Sequence, residues 1–397
     1  MSTAQGFAEP GGQDKGRSSE GGAPAHGGEP ALRLAYLDGL RAMAAGYVVM
    51  FHAVLGFSAQ NLTGPWRLLR RAFAFGHEAV AIFIVLSGYC LMLPVVRKRP
   101  EQHAVAFGSF MRRRAFRILP PYFAALAGSL GVLAGFAALR TPSGTIWDDS
   151  LPGLDLTAVV SHVLVVHNWS PTLAYQINGP LWSVASEWQI YFFFPLLLLP
   201  IWRRSGMLGC LVVAALLGYA PLWFARGPAM VAIPWYLLLF TLGMSAAAVG
   251  FSSAELPRSL RRRVPWGLTC AALWGGCFVF SMAAANVWFA HKPLADLLVG
   301  LATFSLLVYL TERARGASRG RLLPLLESRA LVALGHFSYS LYLTHLPVLA
   351  GCFFALRGLG WSGGAQALAL LVVGSTASLV VAYAFHVAIE RRFIVRR

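Results

Sequence analysis

The sequence predicts an all-α polytopic membrane protein of about ten transmembrane helices, with both termini cytoplasmic. Three observations carry that expectation. The chain is 57% hydrophobic and only 12% charged, with a mean hydropathy of +0.61, unlike an ordinary soluble domain. Its apolar residues collect in runs of about 18 or more, the length that crosses a hydrocarbon core. The basic residues behind its net charge of +17 are placed asymmetrically. With the N-terminus inside, segments 1–35, 97–117, 203–204, 251–263, 312–329 and 390–397 hold 25 of the 33 Lys and Arg. This is the positive-inside bias, so the basicity reports topology and not nucleic acid.

Taken in order, residues 1–32 are rich in Gly, Pro and Ser and lack an apolar signal core. They are expected to form a disordered cytoplasmic tail ahead of a transmembrane domain at 33–397. The apolar runs follow at about 36–58, 78–97, 118–139, 182–202, 207–225, 230–250, 264–285, 294–311, 331–356 and 365–389. The longest connection, 140–181, is expected outside. It carries Asp148, Asp149, Asp155, His162 and His167 beside the half-apolar "LTAVVSHVLVVHNW", the make-up of a lid. Cys90, Cys210, Cys270, Cys277 and Cys352 all fall inside runs and form no disulfide or metal pattern. No metal site and no tightly bound cofactor is expected.

Ionisable residues inside the runs are the candidates for function, because charge in a bilayer is costly unless it faces protein or water. The first run, "LDGLRAMAAGYVVMFHA", contains Asp38, Arg41 and His52. Eleven residues bring Arg41 and His52 onto one helix face, about 16 Å apart along the axis. Asp38 is one turn from Arg41 and can pair with it. The alternative for Arg41 is snorkelling, and for His52 a packing contact. The fourth run enters through "INGPLWSVASEWQIYFFFP", with Ser183 one turn before Glu187 on the same face; a structural salt bridge is the competing role for Glu187. The ninth run places Ser338, Tyr342 and His345 of "SYSLYLTHLP" on one stripe. His52, Glu187 and His345 are thereby expected at one depth, an arrangement suited to acid–base chemistry or a proton path. In "FMRRRAFRILPPY", Arg114 and Arg117 stand at i, i+3 just before the third span, with Pro120 and Pro121 expected to open it. Such a cluster anchors a helix to anionic lipid or holds phosphates.

These residues sit in phrases that resemble the membrane-bound acyltransferase 3 family. "YLDGLRAMAAGYVVMFHA", "FIVLSGY", "RRRAFRILPPY", "NGPLWSVASEWQIYFFFP", "SYSLYLTHLP" and "IERRF" occur in the family's order, over residues of about 33 to 395. The family's Arg-x10-His motif falls on Arg41 and His52, its Arg-x-x-Arg on Arg114 and Arg117, and its Trp-Ser-x-x-x-Glu on Trp182, Ser183 and Glu187. Two phrases depart: Ala79, Val80 and Ala81 stand where a Gly–Val–acid sequence is common, and Arg392 where Pro is common. No appended esterase-like domain is expected.

The resemblance implies ten core spans and acyl transfer, often of acetyl, from acyl-CoA as co-substrate to a hydroxyl of a carbohydrate, envelope glycan or natural product. Arg41, Arg114 and Arg117 would bind the donor. His52 would be the general base, with Glu187 orienting its imidazole, and Ser183, Tyr342 and His345 would position acceptor or oxyanion. The partners are the donor, the hydroxyl acceptor and the bilayer of the cell (plasma or inner) membrane. The rivals are a proton-coupled transporter of a small solute, which composition alone also fits, and a non-catalytic scaffold.

Overall fold

The computed structural model describes residues 34–55, 64–97, 105–136, 155–316, 318–361 and 363–394, with residues 139 and 148. The tail expected over 1–32 and Asp149 lie outside the described residues. Among the described residues the structure is helical throughout, without strands.

The chain enters through α1 (Tyr36–Leu55), α2 (Pro65–Ala72) and α3 (Gly76–Val96). Arg41 of α1 meets Cys90 of α3, and a Cβ on Gly76 would meet the Phe51 ring, so α1 and α3 are antiparallel. α4 (Phe107–Gly135) begins well before the run at 118–139, and Pro120 and Pro121 lie inside it. The expectation that these prolines open the span is therefore corrected. The amphipathic segment before them is helical as well, which puts Arg114 and Arg117 on the same helix as the apolar run.

The half-apolar part of the long connection forms α5 (Leu156–Val163), capped by the Asp155 carboxylate, and a 3-10 turn at His167–Trp169. α6 (Leu181–Phe193) widens into a π-helical turn at Phe194–Leu198 around Pro195, which cannot donate the regular bond. It continues as α7 (Leu199–Tyr219). The two apolar runs 182–202 and 207–225 thus form one helical stretch, Leu181–Phe224, interrupted at Gly206, whose φ of 64° is open to glycine without strain. After α8 (Pro221–Phe224) and α9 (Arg226–Ala232), a 40° bend leads into α10 (Tyr236–Phe251). The rest comprises α11 (Glu255–Arg263), α12 (Trp266–Ala283), α13 (Ala285–Ala290), α14 (Lys292–Arg315), α15 (Leu322–Leu326), α16 (Arg329–His336), α17 (Ser338–Arg357), α18 (Gly363–Ala369) and α19 (Ser375–Ala388).

Seven helical stretches are long and apolar enough to cross a membrane, or eight if the bent pair α9–α10 counts as one span. The number is lower than the sequence expectation partly because Leu181–Phe224 merges two runs; α1, which carries Asp38 and Arg41, is also not among the seven.

α10 is buried along nearly its whole length and packs against α3, α14 and α7, as an all-round apolar helix must. Lipid is as apolar as leucine, so close packing has to hold such helices together. A Cβ on Gly88 would collide with the Phe240 carbonyl oxygen, and one on Gly243 with that of Val85. Hydroxyls add a second tie: Tyr36 Oη lies 3.1 Å from Tyr89 Oη and 2.9 Å from Thr311 Oγ1, joining α1, α3 and α14. The outer faces of α7, α12 and α19 expose Leu208, Val212, Leu216, Phe278, Val279 and Val380, an apolar belt that a bilayer covers. The protein is a multi-pass membrane protein.

Candidate active site

A cavity of about 640 Å³ opens between α1, α3, α4, α6, α16, α17 and α19. Arg41, Arg114, Arg117, Ser183, Glu187 and Tyr342 all line it, so four helices distant in sequence deliver predicted residues to one space. His52 and His345 do not line it. They continue from one end of it.

At the arginine end, Arg41 donates to Asp38 Oδ1 at 2.8 Å and to Cys90 Sγ at 3.0 Å. Close approach of α16 to α1 shapes this wall, since a Cβ on Gly335 would strike the main chain of Asp38. Arg114 lies over the rings of Phe110 and Tyr191, at 5.8 and 5.9 Å, a cation–π setting that holds the guanidinium side-on. Glu187 accepts a hydrogen bond from the Tyr191 hydroxyl, which is also 3.1 Å from Ser87 Oγ. It lies within electrostatic reach of both Arg41 and Arg114.

At the other end, Ser183 Oγ and Tyr342 Oη are 2.6 Å apart, and the Tyr342 ring is 5.9 Å from that of His345. His345 Nε2 is 3.1 Å from His52 Nδ1. The hydrogen bonds determine the tautomers. His345 Nδ1 faces the carbonyl oxygens of Leu341 and Tyr342 at 3.0 and 2.9 Å, and a carbonyl only accepts, so Nδ1 carries the proton. The neutral ring then offers a lone pair at Nε2, which receives the Nδ1–H of His52. That nitrogen also lies 3.0 Å from the Val48 carbonyl oxygen, again an acceptor. His52 is left with its lone pair on Nε2.

The sequence analysis expected Glu187 to orient His52; in the structure the side chain that meets His52 Nδ1 is His345. Glu187 bonds to Tyr191 and faces the arginines, while His345 holds His52. Ser183, one turn earlier on α6, is the residue at the Tyr342 level. Counting residues from a presumed membrane surface gives each helix its own scale, and does not say which side chains of two helices meet.

The sequence reading passed over further polar groups. Asp296 is fully buried and accepts from His77 Nε2–H at 2.9 Å and from Trp235 Nε1–H at 2.8 Å. Glu78, also buried, accepts from Trp288 Nε1–H at 2.6 Å. Acids inside the runs 78–97 and 294–311 were the available signal. In the connection expected to be a lid, His162 and His167 are fully buried, with rings stacked at 3.8 Å, and neither lines the cavity. Burial pushes both imidazoles below their ordinary range, and His167, beside His162, falls to about 3.

A family model described as an acyltransferase domain, acyltransferase 3, matches residues 34–387. The chain belongs to the acyltransferase 3 family. It is similar to acyltransferase MdmB of Streptomyces mycarofaciens, at 27% identity over 87% of this chain and 89% of the relative. It is 24% identical to BcsY of Komagataeibacter xylinus, named as a membrane-bound transacylase, over 89% of this chain and 82% of that one. A Staphylococcus aureus protein named as an O-acetyltransferase shares 27% identity over 42% of this chain and 24% of its own length. No solved structure matches. This acyltransferase 3 member is an acyltransferase, and its O-acetyltransferase relatives accord with the O-acyl transfer expected from its motifs.

Proposed function

We propose that this acyltransferase moves an acyl group, acetyl in the simplest case, from acyl-CoA to a hydroxyl of a carbohydrate, envelope glycan or natural product. The observation that carries the reading is the single cavity with Arg41, Arg114 and Arg117 toward one end and the Ser183–Tyr342–His345–His52 string at the other. Guanidinium forks suit the phosphates of CoA. With these held, the pantetheine arm would carry the thioester toward the histidines, over the roughly 16 Å that separate Arg41 from His52 on one helix.

In the chemical step, His52 Nε2 takes the proton of the acceptor hydroxyl as its oxygen attacks the thioester carbonyl. The C–S bond breaks, and the imidazolium returns the proton to the departing CoA thiolate. His345 keeps His52 in the required tautomer, the role first expected of Glu187. Tyr342, 2.6 Å from Ser183 Oγ, is placed to turn its phenol O–H to the carbonyl oxygen as negative charge develops there. Glu187 tunes the charge of the arginine end. In this reading the arginine end faces the cytosol of the plasma or inner membrane, with both termini on that side.

The test is acetyl-CoA consumption by purified protein, coupled to mass spectrometry of envelope glycans and secreted metabolites from cells with and without it. An acyl mass difference that disappears with His52→Ala is expected. Active transport without acyl-CoA consumption would overturn the reading.

A further inference from the structure

The terminal motif "IERRF" plays no part in the mechanism above, yet its Glu390 lines the cavity. Glu390 is only 5% exposed. It accepts hydrogen bonds from the Ser340 hydroxyl and from His386 Nδ1–H, the latter at 2.8 Å. A carboxylate on Nδ1 fixes that proton, orients the ring and, when the ring carries both protons, compensates its charge. Nε2 is the opposite edge of a side chain that itself lines the cavity, and it donates when the ring holds a second proton, as against a phosphate oxygen. The neighbours of His386 place it at the arginine end. Its ring is 6.3 Å from that of Phe337, the adjoining His336 is 3.7 Å from Asp38, and Asp38 holds Arg41.

Part of the positive charge at that end is already offset. Arg41 is already engaged by Asp38 and Cys90, and Glu187 faces both Arg41 and Arg114. A phosphate monoester alone carries about −1.5 to −2. We propose that His386, oriented by Glu390, is a phosphate-binding residue of the donor pocket, acting beside Arg41, Arg114 and Arg117. The proposal rests on the acyl-CoA reading and names a further contact within it.

Calorimetry on the full chain in detergent tests it, with CoA and with pantetheine, which lacks the phosphates, as probes. His386→Gln is expected to weaken CoA about tenfold, the worth of one charge-assisted hydrogen bond, and to leave pantetheine unchanged. His386→Lys should retain most of the CoA affinity, and Glu390→Gln should weaken CoA by a smaller factor. A structural role would move both probes together, and that result, or unchanged CoA binding by a folded His386→Gln protein, overturns the proposal while the donor reading stands. Absence of CoA binding by the wild-type protein overturns both. The same titrations in phosphatidylcholine nanodiscs with and without phosphatidylglycerol separate the sources of phosphate. If His386→Gln lowers phosphatidylglycerol binding and spares CoA, the group is a lipid-headgroup contact and the proposal fails.

Discussion

The two ends of the cavity hold their functional groups in different ways. At the histidine end, His345 is tied to two main-chain carbonyls of its own helix and His52 to one of its own. Each ring is thus positioned by rigid backbone, and one proton arrangement satisfies the whole string. At the arginine end, the guanidinium of Arg41 is held by side chains, Asp38 and Cys90, and that of Arg114 lies over aromatic rings. A guanidinium held by side chains can be re-aimed as those side chains rotate, whereas an imidazole tied to its own helix backbone is held more rigidly. Under the proposed function the contrast is a division of labour: adaptable charge for binding, fixed tautomers for chemistry.

Breaking the rigid end should have the largest effect. His52→Ala is expected to lower acyl transfer by about 10²–10⁴-fold, the worth of a positioned general base, with CoA affinity retained in calorimetry. Unchanged transfer would show that the imidazole string is structural. His345→Ala should approach that loss, and His345→Gln should fall between, because the Gln oxygen can still accept the His52 Nδ1–H. Equal losses for the two His345 variants in a turnover assay would remove the tautomer argument.

The adaptable end should respond in binding rather than turnover. Arg41→Ala is expected to weaken CoA by more than tenfold, since it also strands Asp38, and Arg114→Lys or Arg117→Lys by about tenfold through loss of the fork. Neutral lysine variants would reduce these residues to helix anchors. Glu187→Gln sharpens the comparison. Near Arg41 and Arg114 its charge opposes a phosphate, so the variant should bind CoA a few-fold more tightly by Coulomb's law at that range. A fall in turnover with unchanged affinity would return Glu187 to the histidine end.

The smallest effect lies outside the cavity. His167, held neutral by burial with a folded value of about 3, would be protonated in an unfolded segment below its ordinary value of about 6.5. The unfolded state then binds more protons, so stability is full above that value and falls as pH drops towards 3. The loss from His167 is about 2 kcal/mol at pH 5. Hydrogen exchange of residues 156–169 should show protection factors, corrected for the intrinsic rate, that fall from pH 7 to 5, and His167→Gln should flatten that fall.

Sequence by itself determined the helical membrane class, because apolar run length and the cost of unpaired backbone in lipid leave helices as the answer for such runs. It also determined the family phrases and the sharing of a helix face by Arg41 and His52, since the rise and twist of one helix follow from residue number. The close main-chain approaches at Gly88 and Gly335 belong to the structure, since residue number does not say which glycine meets a neighbouring helix. Only the tertiary structure decided what lies between helices. It paired His52 with His345, set Glu187 among the arginines, merged two runs across Gly206 and buried His162 and His167 in a connection read as a lid. It also brought Glu390 and His386 of the last helical segment to the cavity that Arg41 lines. The physical reason is common to all of these. A sequence gives position along a helix, but the axial offset and rotation of one helix against another come from packing of whole surfaces, and a shift of about one turn, 5.4 Å, is enough to exchange one polar partner for another.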